Sequence, residues 1–300
     1  MSSHYNQDIN GWIILDKPKD ISSNQALRKI QYELHAKKAG HIGTLDPFAT
    51  GVLPLAFGEA TKLIPYLEGD RKTYVFELEF GTTTTTLDTE GEISATSSNI
   101  PTHEEIKQTL TNFIGKIKQT PPKYSAIHIN GKRAYELARN NEDFEIPKRE
   151  ITIHSLELKS YNPTTKKAIL ETTCSKGTYI RTLAQDIALS LNTVGYLTAL
   201  RRTQNGFFDL SHTILLDNLK NMLYKNTGAS PVLPVETFLC DITVIALTQT
   251  EALKLKNGQA IDSKGLKPLS KPYACCFNNK LIALADVKEN TLSPIRVFNH

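Results

Sequence analysis

Cysteine is scarce in this sequence, with four residues, at positions 174, 240, 275 and 276, in a chain of 300. No two of them form a C-x-x-C pair and no histidine stands at metal spacing, which excludes a disulfide framework or a zinc site and points to a reduced, cytoplasmic setting. Long apolar runs are missing too. None approaches the roughly 20 residues needed to cross a bilayer, so no membrane partner is expected. The first ten residues lack a basic flank followed by an apolar core and do not read as a secretory signal. The G-x-x-x-x-G-K-[ST] loop, the G-x-G-x-x-G fingerprint and the H-E-x-x-H signature are also absent; His103-Glu104-Glu105 lacks the second histidine. Nucleotide hydrolysis, dinucleotide redox chemistry and zinc hydrolysis therefore have no foothold. Any chemistry must come from ordinary side chains, with no cofactor and no metal.

What is present is ordinary globular material. Hydrophobic residues make up 40% and charged residues 22%, which argues against disorder or a fibrous repeat. The length fits about two domains. Net charge is +4, from 35 Lys and Arg against 31 Asp and Glu, so a polyanionic partner is permitted but not demanded. The cations gather in short stretches: Lys17, Lys19, Arg28, Lys29, Lys37 and Lys38, then Lys132, Arg133 and Arg139, then Arg201 and Arg202. Each stretch suits phosphate contacts or a solvated face.

Periodicity outlines the elements. Ser22-x-x-Gln25 reads as a capping box ahead of a helix from Gln25 to His35, and Thr102 with Glu105 opens a second helix. Thr73 to Phe80 alternates, with Tyr74, Phe76, Leu78 and Phe80 on one face of a half-buried strand. Ile151 to Leu158 and Ala168 to Cys174 flank the turn-prone Tyr161-Asn162-Pro163-Thr164 as hairpin strands. Ile180, Leu183, Ala184, Ile187 and Leu191 form the stripe of a third helix, with Arg181 off that stripe in its first turn. The expected fold is α+β, a mixed, mainly antiparallel sheet with flanking helices. Lys225 to Pro234, with Gly228, reads as a seam, which divides the chain into a domain over 1–235 and a small β-rich module over 236–300.

The densest stretch of special residues is Gly40-His41-Ile42-Gly43-Thr44-Leu45-Asp46-Pro47-Phe48-Ala49-Thr50-Gly51-Val52-Leu53-Pro54. Its glycines and prolines prescribe a tight backbone path. Asp46-Pro47 alone reads as a helix N-cap with proline at the first helical position rather than as a catalytic carboxylate. The whole stretch resembles the G-H-x-G-T-L-D-P-x-A-x-G-x-L-P signature of the TruB-type tRNA pseudouridine-55 synthases, with Phe48 where the family usually has leucine. Further segments of that family follow in order. They are Gly11 to Pro18 with Ser22-Ser23-Asn24; Lys72-Thr73-Tyr74; Gly81, Thr84, Thr86, Asp88 and Gly91; Pro121 to Ala126 with Gly131 and Tyr135; Ser175 to Arg181; and Leu200-Arg201-Arg202. The resemblance spans about residues 11 to 206, and the C-terminal module is similar to PUA-like RNA-binding domains only in position and strand content.

The resemblance implies a cofactor-free isomerisation of uridine to pseudouridine at position 55, in the T loop of tRNA. It makes Asp46 the essential carboxylate, acting as nucleophile on the sugar or as base at C2′. Arg181 is implied as its partner, Tyr74 as the ring stacked on the flipped uracil, with Tyr179 in support. His41 would insert into the T loop, Lys17 and Pro18 would shape the floor of the site, and Leu200 would wall it. Arg201 and Arg202 would meet phosphates. Burial could raise an aspartate pKa by up to roughly 3–5 units, which a facing guanidinium opposes. The partner expected is the T-arm of tRNA, with no protein partner required, for a monomer. The alternatives are an RNA-folding chaperone without turnover and a guide-RNA-dependent synthase.

Overall fold

The computed structural model of the chain describes residues 8–67, 69, 71–125, 127–129, 131–140, 142–225, 230–239 and 242–299. Ala126, Gly228 and Cys240, and residues 1–7 of the first ten, lie outside the described residues. The chain forms two compact units, and neither is continuous in sequence. One holds Met1–Leu45, Val52–Glu68 and Phe207–His300, and the other holds Asp46–Gly51 and Gly69–Gly206.

The second unit is built on five strands in the order Gly195–Asn205, Arg71–Phe80, Lys167–Ser175, Arg149–Asn162, Gly115–Gln119. Every neighbouring pair among these five is antiparallel. The expected alternation is present: Tyr74, Phe76, Leu78 and Phe80 are all buried, because a period of two sends every second side chain of Arg71–Phe80 to the core face. The two hairpin strands are paired as expected, Leu158 opposite Leu170 and Ile153 opposite Cys174. The His103–Leu110 helix starts at the capping box foreseen for it, with Thr102 Oγ1 accepting from Glu105 N and Glu105 Oε2 accepting from Thr102 N. In the Ile180–Ser190 helix, Ile180, Leu183, Ala184, Ile187 and Ala188 are buried. Arg181 and Thr182 are buried as well, so the first turn is enclosed on more sides than its apolar stripe implies.

Thr50 and Gly51 pair in parallel with Arg201 and Arg202. Gly51 has φ +102°, and a Cβ there would stand 2.1 Å from the Arg202 carbonyl oxygen, so only glycine lets these two backbones approach. That contact pins the short 46–51 segment to the strand carrying Leu200 and Arg202.

In the first unit the Gly11–Lys17 strand is buried along nearly its whole length. It neighbours Thr50–Phe57 on one side and pairs in parallel with Ile214–Leu215 on the other. The Ser23–Glu33 helix begins at the Ser22/Gln25 capping box. Trp12 centres a core cluster: its ring lies 5.9 Å from Phe208 and 6.1 Å, edge-on, from Phe238, and its Nε1 donates to Val235 O at 3.1 Å. Ala274, Leu281, Leu284 and Phe298 belong to the same cluster. Within residues 236–300 a five-stranded sheet runs in the order Val244–Ala246, Tyr273–Phe277, Lys280–Lys288, Thr291–Val297, Ile261–Asp262, beside the capped Gln249–Lys256 helix. Leu233, in the expected seam, bridges to Trp12 through two backbone hydrogen bonds of 2.8 Å. Among the described residues no helix is long and apolar enough to cross a membrane.

Candidate active site

Asp46 does not cap a helix. Residues 46–49 form a turn closed by Ala49 N donating to Asp46 O at 3.1 Å, with Pro47 at the second position where its fixed φ fits. Phe48 follows into the core at 2% exposure, so the larger ring serves packing. Asp46 stays outside, its side chain 34% exposed.

Arg181 meets it from the first turn of the Ile180–Ser190 helix, Nε standing 3.0 Å from Asp46 Oδ2. The N–H there is not aligned for a hydrogen bond, so the contact is one of charge on charge. The rest of the guanidinium is held more firmly. Nη1 lies 3.3 Å from Asp88 Oδ2 and donates to Thr86 O at 3.1 Å, and Nη2 donates to Tyr124 O at 2.9 Å. Asp88 is itself fixed, with Oδ1 accepting from Thr86 Oγ1 at 2.5 Å and from Glu90 N at 2.9 Å. The Thr86–Glu90 turn is locked further by Thr84 Oγ1 donating to Asp88 O and Leu197 N donating to Leu87 O. An arginine at a helix start opposes the positive end of the macrodipole, and two carboxylates facing it outweigh that cost.

Tyr74 stands opposite Arg202 in the strand register and is hydrogen-bonded to it. Burial raises the phenol pKa above its ordinary value, the charge of Asp46 adds to the rise, and Arg202 opposes both. Arg202 is completely buried, which corrects the expectation that it meets phosphates. The register explains the correction: a side chain directly across from a core-facing tyrosine is core-facing too. Burial also lowers the pKa of its guanidinium, with Tyr74 opposing. Arg201, on the alternate face, is partly exposed and approaches Thr50 Oγ1 at 3.4 Å. Leu200 is buried on the same strand.

Tyr179 is the N-cap residue of the helix that carries Arg181, and its ring lies 4.6 Å beneath the Arg149 guanidinium. Asp46, Tyr74, Tyr179, Arg181 and Leu200 thus belong to one unit. Lys17, Pro18 and His41 belong to the other. Lys17 is fully buried at the end of its strand, and its Nζ donates to Pro18 O at 2.9 Å and Ile21 O at 2.6 Å, fixing the turn in which Pro18 is exposed. His41 ends the Ala39–His41 strand opposite Leu55. The Asp88–Arg181 contact is one the sequence reading missed, although the position of Asp88 in the T-x-D-x-x-G pattern marked it. Among the described residues no group of three or more His, Cys, Asp and Glu side chains is placed to hold a metal ion.

Two family models match the chain: TruB family pseudouridylate synthase (N terminal domain) over residues 31–180, and tRNA pseudouridylate synthase B C-terminal domain over residues 181–240. The chain is 42% identical over 299 residues to tRNA pseudouridine synthase B of Caulobacter sp. (strain K31), covering 97% of this chain and 96% of that protein. It is 40% identical over 293 residues to tRNA pseudouridine synthase B of Ehrlichia canis (strain Jake), covering 96% and 97%. Among solved structures it is similar to a chain of an H/ACA RNP bound to a substrate RNA containing 2′-deoxyuridine, with TM-score 0.74 and 21% identity over 99% of this chain and 86% of that one. A chain of a Cbf5-Nop10-Gar1 complex gives TM-score 0.73 at 24% identity, covering 96% and 85%. At these identities the structural likeness speaks for the α+β fold alone.

Proposed function

The chain belongs to the TruB family of pseudouridylate synthases, and from that premise we propose that it isomerises a uridine in the T loop of tRNA, position 55, with Asp46 as the essential carboxylate. The supporting observation is the Asp46–Arg181–Asp88 arrangement, in which one guanidinium is anchored to a buried carboxylate and turns its remaining edge to a half-buried one. In the reaction the C1′–N1 bond breaks, the uracil turns, and a C1′–C5 bond forms. The proton leaving C5 is balanced by the one gained at N1, so substrate and product have equal mass. Attack of Asp46 at C1′ and proton abstraction at C2′ both require its charged form, which Arg181 favours.

The target base lies within folded RNA and must be extruded to be reached. Tyr74 stacks on it in this reading, contributing about 1–3 kcal/mol. Its hydroxyl end is held by Arg202, so the ring is anchored in place before the base arrives, and pre-set groups lose less entropy on binding. His41 fills the gap in the loop, Leu200 walls the pocket, Lys17 and Pro18 shape its floor, and Tyr179 supports Arg181. Arg201 meets phosphate. The module over 236–300 is proposed as a PUA-like RNA contact, and residues 1–235 as the catalytic domain. The enzyme acts in the cytoplasm on the T-arm, as a monomer with no protein partner.

The test is carbodiimide-blocked primer extension, or nucleoside chromatography, on an unmodified T-stem-loop with the purified chain and no other protein or RNA added. One uridine should convert over many turnovers. Asp46→Asn should remove product while leaving RNA affinity within a few fold. Substantial turnover in that variant overturns the assignment, and binding without any conversion by the wild type points to a chaperone.

A further inference from the structure

Gln119 and Arg149, the last residue of one strand and the first of the next, stand opposite each other at the edge of the second unit's sheet. Residues 120–148 lie between the two in sequence. Both members of the pair turn toward the start of the helix that carries Arg181. Gln119 is only 1% exposed, and both ends of its amide are used on one residue. Its Oε1 accepts from Tyr179 N at 2.8 Å, and its Nε2 donates to Tyr179 O at 3.1 Å. The amide orientation is set by these partners, since the flipped form would face oxygen with oxygen and N–H with N–H. Arg149 donates to Gly177 O and covers the Tyr179 ring.

This clasp does what the helix start does not do for itself. Tyr179 occupies the N-cap position, but its side chain makes no cap hydrogen bond. Its carbonyl already accepts the helical bond from Leu183 N at 3.0 Å, so the Gln119 donor is a second bond to the same oxygen. Two residues further on, Arg181 must meet two carboxylates and two carbonyls at once. A rotation about the Tyr179 backbone would swing the guanidinium away from all four, and displacements near 1 Å at a catalytic pair can cost about 100-fold in rate.

We infer that Gln119 is a positioning residue for the Asp46–Arg181 pair, acting through the backbone of Tyr179. The inference rests on the isomerase reading of that pair. Gln119→Glu separates the role from mere packing, because the new carboxyl group keeps the shape while its donor becomes pH-dependent. Ionised, it can accept from Tyr179 N but sets a charged oxygen against Tyr179 O. Protonated, it again offers one acceptor and one donor. Burial raises the pKa of such a group into the range where an assay can be run on both sides of it.

The experiment compares single-turnover conversion of a T-stem-loop at saturating protein, for Gln119→Glu, Gln119→Ala and wild type, at pH 6 and pH 8.5. Melting curves at each pH establish that every variant is folded at the assay temperature. Relative to wild type, Gln119→Glu should be reduced about 10–100-fold at pH 8.5 and recover to within a few fold at pH 6, with RNA affinity unchanged. Gln119→Ala should be reduced at both. If Gln119→Ala does not fold, the pH contrast in Gln119→Glu decides alone. A constant ratio of Gln119→Glu to wild type overturns the inference, as does a loss confined to RNA affinity. Hydrogen–deuterium exchange of amides 179–183 is read without RNA. Should the wild type not convert uridine, the isomerase reading fails on its own. Faster exchange in Gln119→Glu at pH 8.5 than at pH 6, after correction for intrinsic rates, would then still place Gln119 in control of the helix start, and unchanged exchange would refute that.

Discussion

Asp88 lies 3.3 Å from Arg181 with its side chain only 2% exposed, and this buried contact fixes where the guanidinium points. Asp46 reaches the same arginine from a side chain 34% exposed. One carboxylate is therefore an anchor, and the other can turn toward a substrate.

Removing the arginine should hurt more than removing both charges together. Arg181→Met leaves Asp88 buried opposite no cation, which should cost about 3–5 kcal/mol. In the Arg181→Met/Asp88→Asn double variant part of that loss should return, giving a coupling of about 1–3 kcal/mol in urea unfolding. Strict additivity would mean that Asp88 is compensated elsewhere. Arg181→Lys should keep much of the stability but lose turnover about tenfold or more, because an ammonium cannot span both carboxylates and both carbonyls.

Adjacent arginines on the Gly195–Asn205 strand should answer differently to salt. Each phosphate contact contributes roughly 0.7–0.9 to the slope of log affinity against log salt. Arg201→Met should lower the slope by about one contact, whereas Arg202→Met should leave it unchanged and lower stability and turnover instead, since its partner is Tyr74. Filter binding across 50–300 mM salt separates the two. A reduced slope in the folded Arg202→Met variant would return that residue to the phosphate-binding set.

Asp186 should make the protein less stable as pH rises. It lines a cavity of about 480 Å³ with Lys118, Lys123 and Lys148, and burial raises its pKa to about 6 while Lys148 opposes the shift. With the folded value above the ordinary carboxylate value of 3.8, the native state holds the extra proton between about pH 4 and pH 6. Stability from this group is full below that window and is lost as pH climbs through it. Asp186→Asn should therefore melt higher than wild type at pH 8, by about 1 kcal/mol once solvent screening is allowed for, and no higher at pH 4. Equal melting points at pH 8 would remove the effect.

Thiol chemistry at Cys174, Cys275 and Cys276 should be silent in the native state. Burial pushes Cys174 up to about 11 and Cys275 up to about 12, and Cys276 up to about 11, so almost no thiolate exists at pH 8. A chromogenic disulfide reagent should label these three slowly in native protein and rapidly in urea. Fast native labelling, with the sites mapped by mass spectrometry to 174, 275 or 276, would contradict the burial.

Local patterns were readable and distant partners were not. The capping boxes at Ser22 and Thr102 and the alternation in Arg71–Phe80 are set by residues within a few positions of each other, so the sequence displays them. The Gly195–Asn205 strand escaped notice because Arg201 and Arg202 read as a phosphate-binding pair, and the tyrosine that lies opposite the second is on a strand far away in sequence. Thr50–Phe57 was hidden by Pro54, a residue that argues against a strand. Asp46 stood out only through resemblance to a family, since its local setting alone favours a capping aspartate. Asp88 and Gln119 act through Arg181 and Tyr179, partners that no window of neighbouring residues contains.

The six residues 46–51 belong to one unit while the chain before and after them belongs to the other. During synthesis the acidic side chain leaves the ribosome early, yet its cation and the strand that Gly51 docks against appear only after more than half of the polypeptide has been made. The order of translation thus keeps the Asp46–Arg181 corner unassembled until both halves have emerged, and severing the chain near residue 68 would separate acid from cation. Complementation of two such pieces, neither active by itself, would have to rebuild that corner across a broken backbone.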